Sequence, residues 1–289
     1  MNCTSAGHFA SVLLAFITFI GCKTSTSPTT TNSAGPGGTL YFNAANGALG
    51  GAGTNDIIAL DFSTGVTSRI ITGDFPCITP DHKIVFSDVT LQECDFSGQN
   101  VRVIASDPLS EYARPQVSLD GRYVAFGKSN YIDIVDRSNG TLVSELIATP
   151  GTYGNPTWTN GGSVIAQGAY MNYGLWITST TGITKIPGNY DNAKNPRSNA
   201  AGTQIVFSMT GNIYSINIDG SNLKEIVSNV GECAPVWSPD GKYVAYGFGV
   251  KLFYADVATG TIHDIESEYA NIQNHFHLTI NTGSQLGWK

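Results

Sequence analysis

Apolar residues in this chain fall in short runs of four to six, and those runs recur with a period near forty residues. The clearest unit is Pro235-Val-Trp237-Ser-Pro-Asp240-Gly241-Lys-Tyr243-Val-Ala-Tyr246, and Pro115 through Gly121 to Val124-Ala-Phe126 repeats it. Further copies run from Pro156 through Gly162 to Ala166, and from Pro196 through Gly202 to Phe207. A fifth runs from Pro76 to Phe86, with His82 in the glycine slot. The prolines at 76, 115, 156, 196 and 235 stand 39, 41, 40 and 39 residues apart. Regular self-similarity of this length marks a repeat architecture and takes precedence over local propensity.

Within each unit the pattern predicts four short strands. The run after the proline is the first and the Tyr-Val-Ala-aromatic run the second. The third appears as Tyr131–Val135, Ile213–Ile216 and Leu252–Ala255, and the fourth as Leu142–Ile147, Leu223–Val227 and Ile262–Ile265. Short apolar runs bounded by turn residues read as strands, and no stretch sustains a helical period. Glycine punctuates the turn between third and fourth strands at 65, 98, 140, 182, 220 and 260. Four-stranded units of this length are blades of a β-propeller, which cover their faces by stacking around a ring. The fold class expected is therefore all-β: a six-bladed propeller of four-stranded blades. Blade 1 is split. Residues 39–42, 56–60 and 68–71 supply its second to fourth strands, and the C-terminal segment supplies its first. Aligning His277–Gly283 with Pro235–Gly241 puts that closing strand at residues 278–280.

The N-terminal residues divide from this repeat. Phe9–Ile20 is an apolar run too short to span a bilayer and suited to a signal-peptide core. Phe19-Ile20-Gly21-Cys22 resembles a bacterial lipobox, which makes Cys22 the expected lipidation site; the alternative is an ordinary cleaved signal with Cys22 incidental. Residues 23–38 are rich in Ser, Thr, Pro and Gly and read as a tether. The domains expected are thus 1–22 signal, 23–38 tether and 39–289 propeller, in a lipid-anchored protein of the outer membrane. Three cysteines remain beyond Cys22 in the mature chain, an odd number without zinc-type spacing, and they read as small buried residues. A net charge of −7 argues against a phosphate-backbone binder and so against nucleic acid as partner.

The Trp237-Ser-Pro-Asp-Gly241-Lys motif and its copies resemble the TolB-like propeller repeat, a WD-like repeat of exported bacterial proteins, over roughly residues 39–289. The resemblance implies the six-bladed fold and an envelope address. TolB itself carries an additional N-terminal domain, whereas here the tether leads straight into blade 1.

Candidate chemistry lies at one end of the channel. Loops before the first strands and between second and third strands share that end and present Arg114, Tyr153, Asn155, Asn195, Arg197, Glu232 and His275. Insertions at 43–55 and 168–173 decorate the same face. Loops on a rigid scaffold carry binding chemistry, and amide and aromatic groups suit a protein or glycan partner. His275 and His277 flank Phe276, and strand alternation puts both imidazoles on one face, where they could hold a divalent ion. Propellers similar in fold act as pectic-oligomer lyases with histidines and a divalent ion near the channel, which implies the alternative of a metal-assisted lyase or hydrolase. Asp61, Asp95, Asp136, Asn217 and Asp256 end the third strands and are expected to accept hydrogen bonds from the following turns. The sequence contains no Gly-x-Ser-x-Gly nucleophile turn. The reading favoured is a monomeric, non-catalytic propeller without cofactor, binding an envelope protein or glycan.

Overall fold

A computed structural model describes residues 35–45, 55–106, 114–128, 131–147, 152–169, 173–179, 182–249, 251–269 and 285–289. Cys22, His275 and His277 lie outside the described residues. Six separate sheets of four antiparallel strands form, each following chain order from its innermost strand outward except in blade 1. There the sheet runs Gly287–Trp288, Thr39–Ala45, Asn55–Asp61, Val66–Thr72. The two ends of the propeller domain thus share one sheet, with Leu40 opposite Trp288 and Tyr41 opposite Gly287.

The closing strand is not where the glycine alignment put it. Residues 278–280 lie outside the described residues, and the innermost position of blade 1 is taken by Gly287–Trp288. Tryptophan, rather than the turn glycine, is the anchor. Trp158 and Trp237 occupy the same place in blades 4 and 6, and each indole donates across the blade interface. Trp158 Nε1 reaches the Gln116 carbonyl at 2.9 Å, and Trp237 Nε1 reaches the Arg197 carbonyl at 3.2 Å. Trp288 Nε1 likewise finds a carbonyl, that of Gly37, at 3.0 Å. An indole packs its body and still needs a partner for its N–H, which this position supplies.

Packing follows the ring. The buried apolar residues among those described separate into six clusters, and each is shared by two neighbouring blades. Leu40, Phe42 and Trp288 of blade 1 pack on Tyr254 and Ala245 of blade 6; Tyr41 and Ile57 of blade 1 pack on Ile84 and Phe86 of blade 2. The alternation of each strand explains this: successive side chains point to opposite faces, and each face meets a different neighbour. Among the described residues, no blade has a core of its own.

The turn aspartates behave as expected. Asp61, Asp95, Asp136 and Asp256 each accept the backbone N–H two residues on, at 2.7–2.9 Å. In blade 5 Asp219 takes over that role toward Ser221, while Asn217 bonds the Ser221 hydroxyl. The glycines of these turns have a second task. Gly98 and Gly140 both adopt left-handed φ, and their turns press against the outermost strand of the preceding blade. A methyl at Gly140 would sit 1.9 Å from the Ile104 carbonyl oxygen. Gly140→Ala is therefore expected to cost about 3 kcal/mol, combining left-handed strain with overpacking. A urea titration checks this, and a loss under about 1 kcal/mol would show that the turn relaxes freely.

One element departs from the strand reading. The fourth strand of blade 6 stops at Asp264, and Ile265–Glu268 forms a single helical turn capped by the Asp264 carboxylate. Cys77, Cys94 and Cys233 are buried free thiols. Among the described residues, no helix is long and apolar enough to cross a membrane.

Candidate functional site

The innermost strands line the channel in successive levels, and the residue before each proline defines its upper mouth. Phe75, Arg114, Asn155 and Asn195 hold this position in blades 2 to 5, and all four have left-handed φ, between 38° and 55°. The pairing of the first two strands shifts register at this point in blades 2, 4 and 5, so Phe75, Asn155 and Asn195 each sit in a bulge. Ala234, the counterpart in blade 6, is not left-handed. Non-glycine residues held in this region cost energy that the surrounding structure must over-determine.

The side chains of the mouth form one network. Asn195 is its hub: Oδ1 accepts from Arg114 Nη1 at 2.5 Å and from Asn155 Nδ2 at 2.8 Å, while Nδ2 donates to the Cys233 carbonyl at 2.8 Å. Gln167 Oε1, from the second strand of blade 4, accepts from Asn155 Nδ2 and from the Asn195 backbone N–H. The Arg114 guanidinium lies 5.3 Å over the Phe75 ring. Gln285 crosses from the C-terminal segment, its Nε2 donating to the carbonyls of Phe75, Pro76 and Pro115. Residues 210 positions apart in the chain thus meet at the mouth.

Two residues further along each strand lies the channel's waist, formed by Gly287, Cys77, Gln116, Thr157, Arg197 and Val236 of blades 1 to 6. Arg197 belongs to this deeper level and not to the mouth, standing two residues beyond Asn195 on the innermost strand of blade 5. Below the waist the channel opens into a cavity of about 370 Å³. The turns between first and second strands surround its rim, including Thr79, Ser118 and Ser238.

The structure therefore brings together Arg114, Asn155 and Asn195 from the sequence-derived set and sets Arg197 beneath them. Glu232 lies apart. It is exposed and pairs with Lys194 at 2.6 Å over a shallow hollow at the edge of blade 5. Tyr153 sits in the innermost strand of blade 4, its backbone paired with Gly168. Among the described residues, no group of three histidine, cysteine or acidic side chains is placed to hold a metal ion. His82 occupies the turn at the opposite end with φ of 65°, and His263 stacks on Tyr254 at the rim while its Nδ1 meets Glu268 at 2.6 Å. Gln116, Gln167 and Gln285 escaped the sequence reading. Gln116 could have been found by its place directly after Pro115, as Arg197 follows Pro196.

These features define a six-bladed β-propeller with a polar upper mouth and a cavity open at the opposite end. No family model matches the chain, and no curated protein matches it in sequence. Solved structures match it in fold. TolB from Acinetobacter baumannii superposes with a TM-score of 0.69 at 15% identity, covering 87% of this chain. The chain spans 66% of that TolB's length. A structure from a Nidogen/Laminin complex superposes with a TM-score of 0.61 at 16% identity, over 79% of this chain and 92% of the other. An oligogalacturonate lyase in complex with manganese gives a TM-score of 0.51 at 14% identity, over 72% and 70% of the two chains. The chain has the TolB-like six-bladed propeller fold.

Proposed function

We propose that this chain is an exported binding propeller, tethered to a bacterial envelope membrane through a lipid on Cys22, which receives a protein or glycan partner at the upper mouth without transforming it. The observation that carries this reading is the repetition of left-handed backbone at Phe75, Arg114, Asn155 and Asn195. Blade packing does not require that geometry, since Ala234 does without it. Strain maintained at one level of four consecutive blades, and locked by a shared hydrogen-bond network, holds a rigid polar surface ready for a ligand. The scaffold suits such a role: a propeller of this fold occurs in the Nidogen/Laminin complex.

Site-specific photocrosslinking in cells tests the reading. A photoreactive residue in place of Tyr153 is expected to give adducts of discrete mass, and one in place of Val103, exposed on the outermost strand of blade 2, is expected to give none. Equal labelling from both positions would contradict a mouth-specific partner. Manganese-dependent cleavage of polygalacturonate by the purified protein would instead establish the lyase alternative. Metabolic labelling with an alkynyl fatty acid is expected to mark the wild type and not Cys22→Ala; label on both would remove Cys22 as the anchor.

A further inference from the structure

Beneath the mouth network, the channel holds a charge that the fold does not use. Arg197 is 9% exposed, and its Nη2 is fully buried without a hydrogen-bond partner. Arg197 is among the residues lining the cavity of about 370 Å³, a size suited to a small molecule. Burial lowers its pKa, Cys77 opposes that shift and Arg114 adds to it, and the result is about 10, so the group remains charged at neutral pH. No aspartate or glutamate is among the described residues that line this cavity. A positive site therefore sits inside a chain whose net charge is −7.

The neighbouring polar groups are already committed elsewhere. Ser198 Oγ pairs with Thr157 Oγ at 3.0 Å, and Gln116 Nε2 donates to the Pro115 carbonyl. Ser118 and Ser238 hydroxyls donate to Asp120 and Asp240 of their own turns, at 2.6 Å and 2.7 Å. A buried guanidinium left without an anion is costly, and it survives in proteins where a partner completes it. The remaining walls are mostly apolar, with Ile78, Val117, Val236, Leu286, Trp237 and Trp288, and carry Thr79, Asn199 and Lys289 as further polar residues.

We propose that this cavity binds a small monocarboxylic acid with an apolar body, its carboxylate on the Arg197 fork and its body against the tryptophan-lined wall. The planar guanidinium matches a carboxylate in two-point contact. A phosphate dianion suits the site less, because it would bring a second negative charge against an apolar wall. The site is independent of the partner surface at the upper mouth, being reached from the opposite end of the channel.

Calorimetric titration of the purified protein with benzoate and with benzamide, its neutral counterpart of nearly the same shape, tests this. Benzoate is expected to bind with Kd on the order of 1 mM or below, at least about tenfold tighter than benzamide. Arg197→Met preserves bulk and removes the charge. It is expected to abolish the preference for benzoate while raising the ligand-free Tm by about 2–6 °C, since an uncompensated buried charge is gone. Benzoate is expected to raise the wild-type Tm and leave that of the variant unchanged. Equal binding of benzoate and benzamide by the wild type, or binding of neither, would overturn the proposal without reference to the variant. A lowered Tm in Arg197→Met together with unchanged benzoate affinity would make Arg197 a purely structural residue. Tighter binding of inorganic phosphate than of benzoate would refute the carboxylate assignment.

Discussion

Deleting Gln285–Lys289 is expected to abolish the single cooperative unfolding transition of the domain. Five residues carry this effect because they complete blade 1. Their removal unpairs Leu40 and Tyr41, empties the cluster between blades 6 and 1 of Leu286 and Trp288, and takes Gln285 from three carbonyls at the mouth. A ring of blades without private cores depends on every interface, so opening one exposes apolar faces on both flanking blades. Trp288→Ala isolates the packing component. The residue is 8% exposed and sits among Phe62, Leu40 and Tyr254, and its truncation is expected to cost about 3–5 kcal/mol. Circular dichroism melts read both variants. A deletion variant with the wild-type Tm and transition width would show that the ring holds without its closing strand.

The second large effect is expected from Glu93→Ala. Glu93 is a buried carboxylate at the interface of blades 2 and 3, met by three cations. Lys83 Nζ and Arg102 Nη2 approach Oε1 at 3.0 Å, and Arg137 Nε approaches Oε2 at 2.8 Å. Arg137 comes from blade 3 and also grips Asp81 of blade 2 by donating from Nη1 and Nη2, at 2.8 Å and 3.1 Å. Arg102 returns the tie by donating to the carbonyls of Arg137 and Ser138. Removing one member of such a buried cluster strands the others, at about 3–5 kcal/mol. The lower end applies here, because Lys83 and Arg102 are 41% and 40% exposed and can turn to solvent. Arg137→Met and Glu93→Ala are expected to be clearly non-additive, since each breaks the same contact.

The cluster also sets a pH dependence. Burial pushes the Glu93 carboxyl up, but hydrogen bonds from Lys83, Arg137 and Arg102 outweigh it and hold its pKa below the usual value. The Arg137 hydrogen bond brings Asp81 down to about 2. Groups whose folded pKa is depressed contribute stability above their unfolded pKa and lose it as pH falls through the folded one. Stability is therefore expected to decline from about pH 4 toward about pH 2. Asp81, being 54% exposed, supplies a screened share of that decline. Urea titrations from pH 7 to pH 2 are expected to show a flatter acid limb in Glu93→Ala than in the wild type; parallel limbs would remove the cluster from the acid response.

The blade count was legible because five repeats carry a proline, a turn and a short apolar second strand such as Val124–Phe126 or Ile205–Phe207, and these depend on local chemistry. The register of the closing strand was not. Innermost strands in blades 1, 3 and 6 pair over only two residues, too short to show alternation. Gly283 imitated the turn glycine at 241, whereas the physical determinant was the indole of Trp288, which needs both a packed face and a carbonyl. Placement of the mouth residues follows a similar division. Arg114, Asn155 and Asn195 share one position before a proline, so the repeat itself set them at one level. Arg197 directly follows Pro196, as Cys77, Gln116 and Thr157 follow their prolines, so the repeat set it one level deeper than Asn195. The cross-blade ties of Glu93 and Arg137 were invisible for a further reason: they join a strand residue to a turn residue 44 positions on, each in a segment whose own pattern is satisfied locally.

Amide hydrogen exchange at the two chain ends tests ring closure most directly. Lys289 N–H donates to the Thr39 carbonyl at 2.9 Å and Thr39 N–H donates back to Lys289, so both amides belong to the innermost pairing of blade 1. Both are expected to exchange through global unfolding, with the same protection free energy as Ile58 in the centre of that sheet. Rapid exchange at Thr39 and Lys289 beside a fully protected Ile58 would mean that the ends fray independently and that this propeller is not closed by its C-terminal strand.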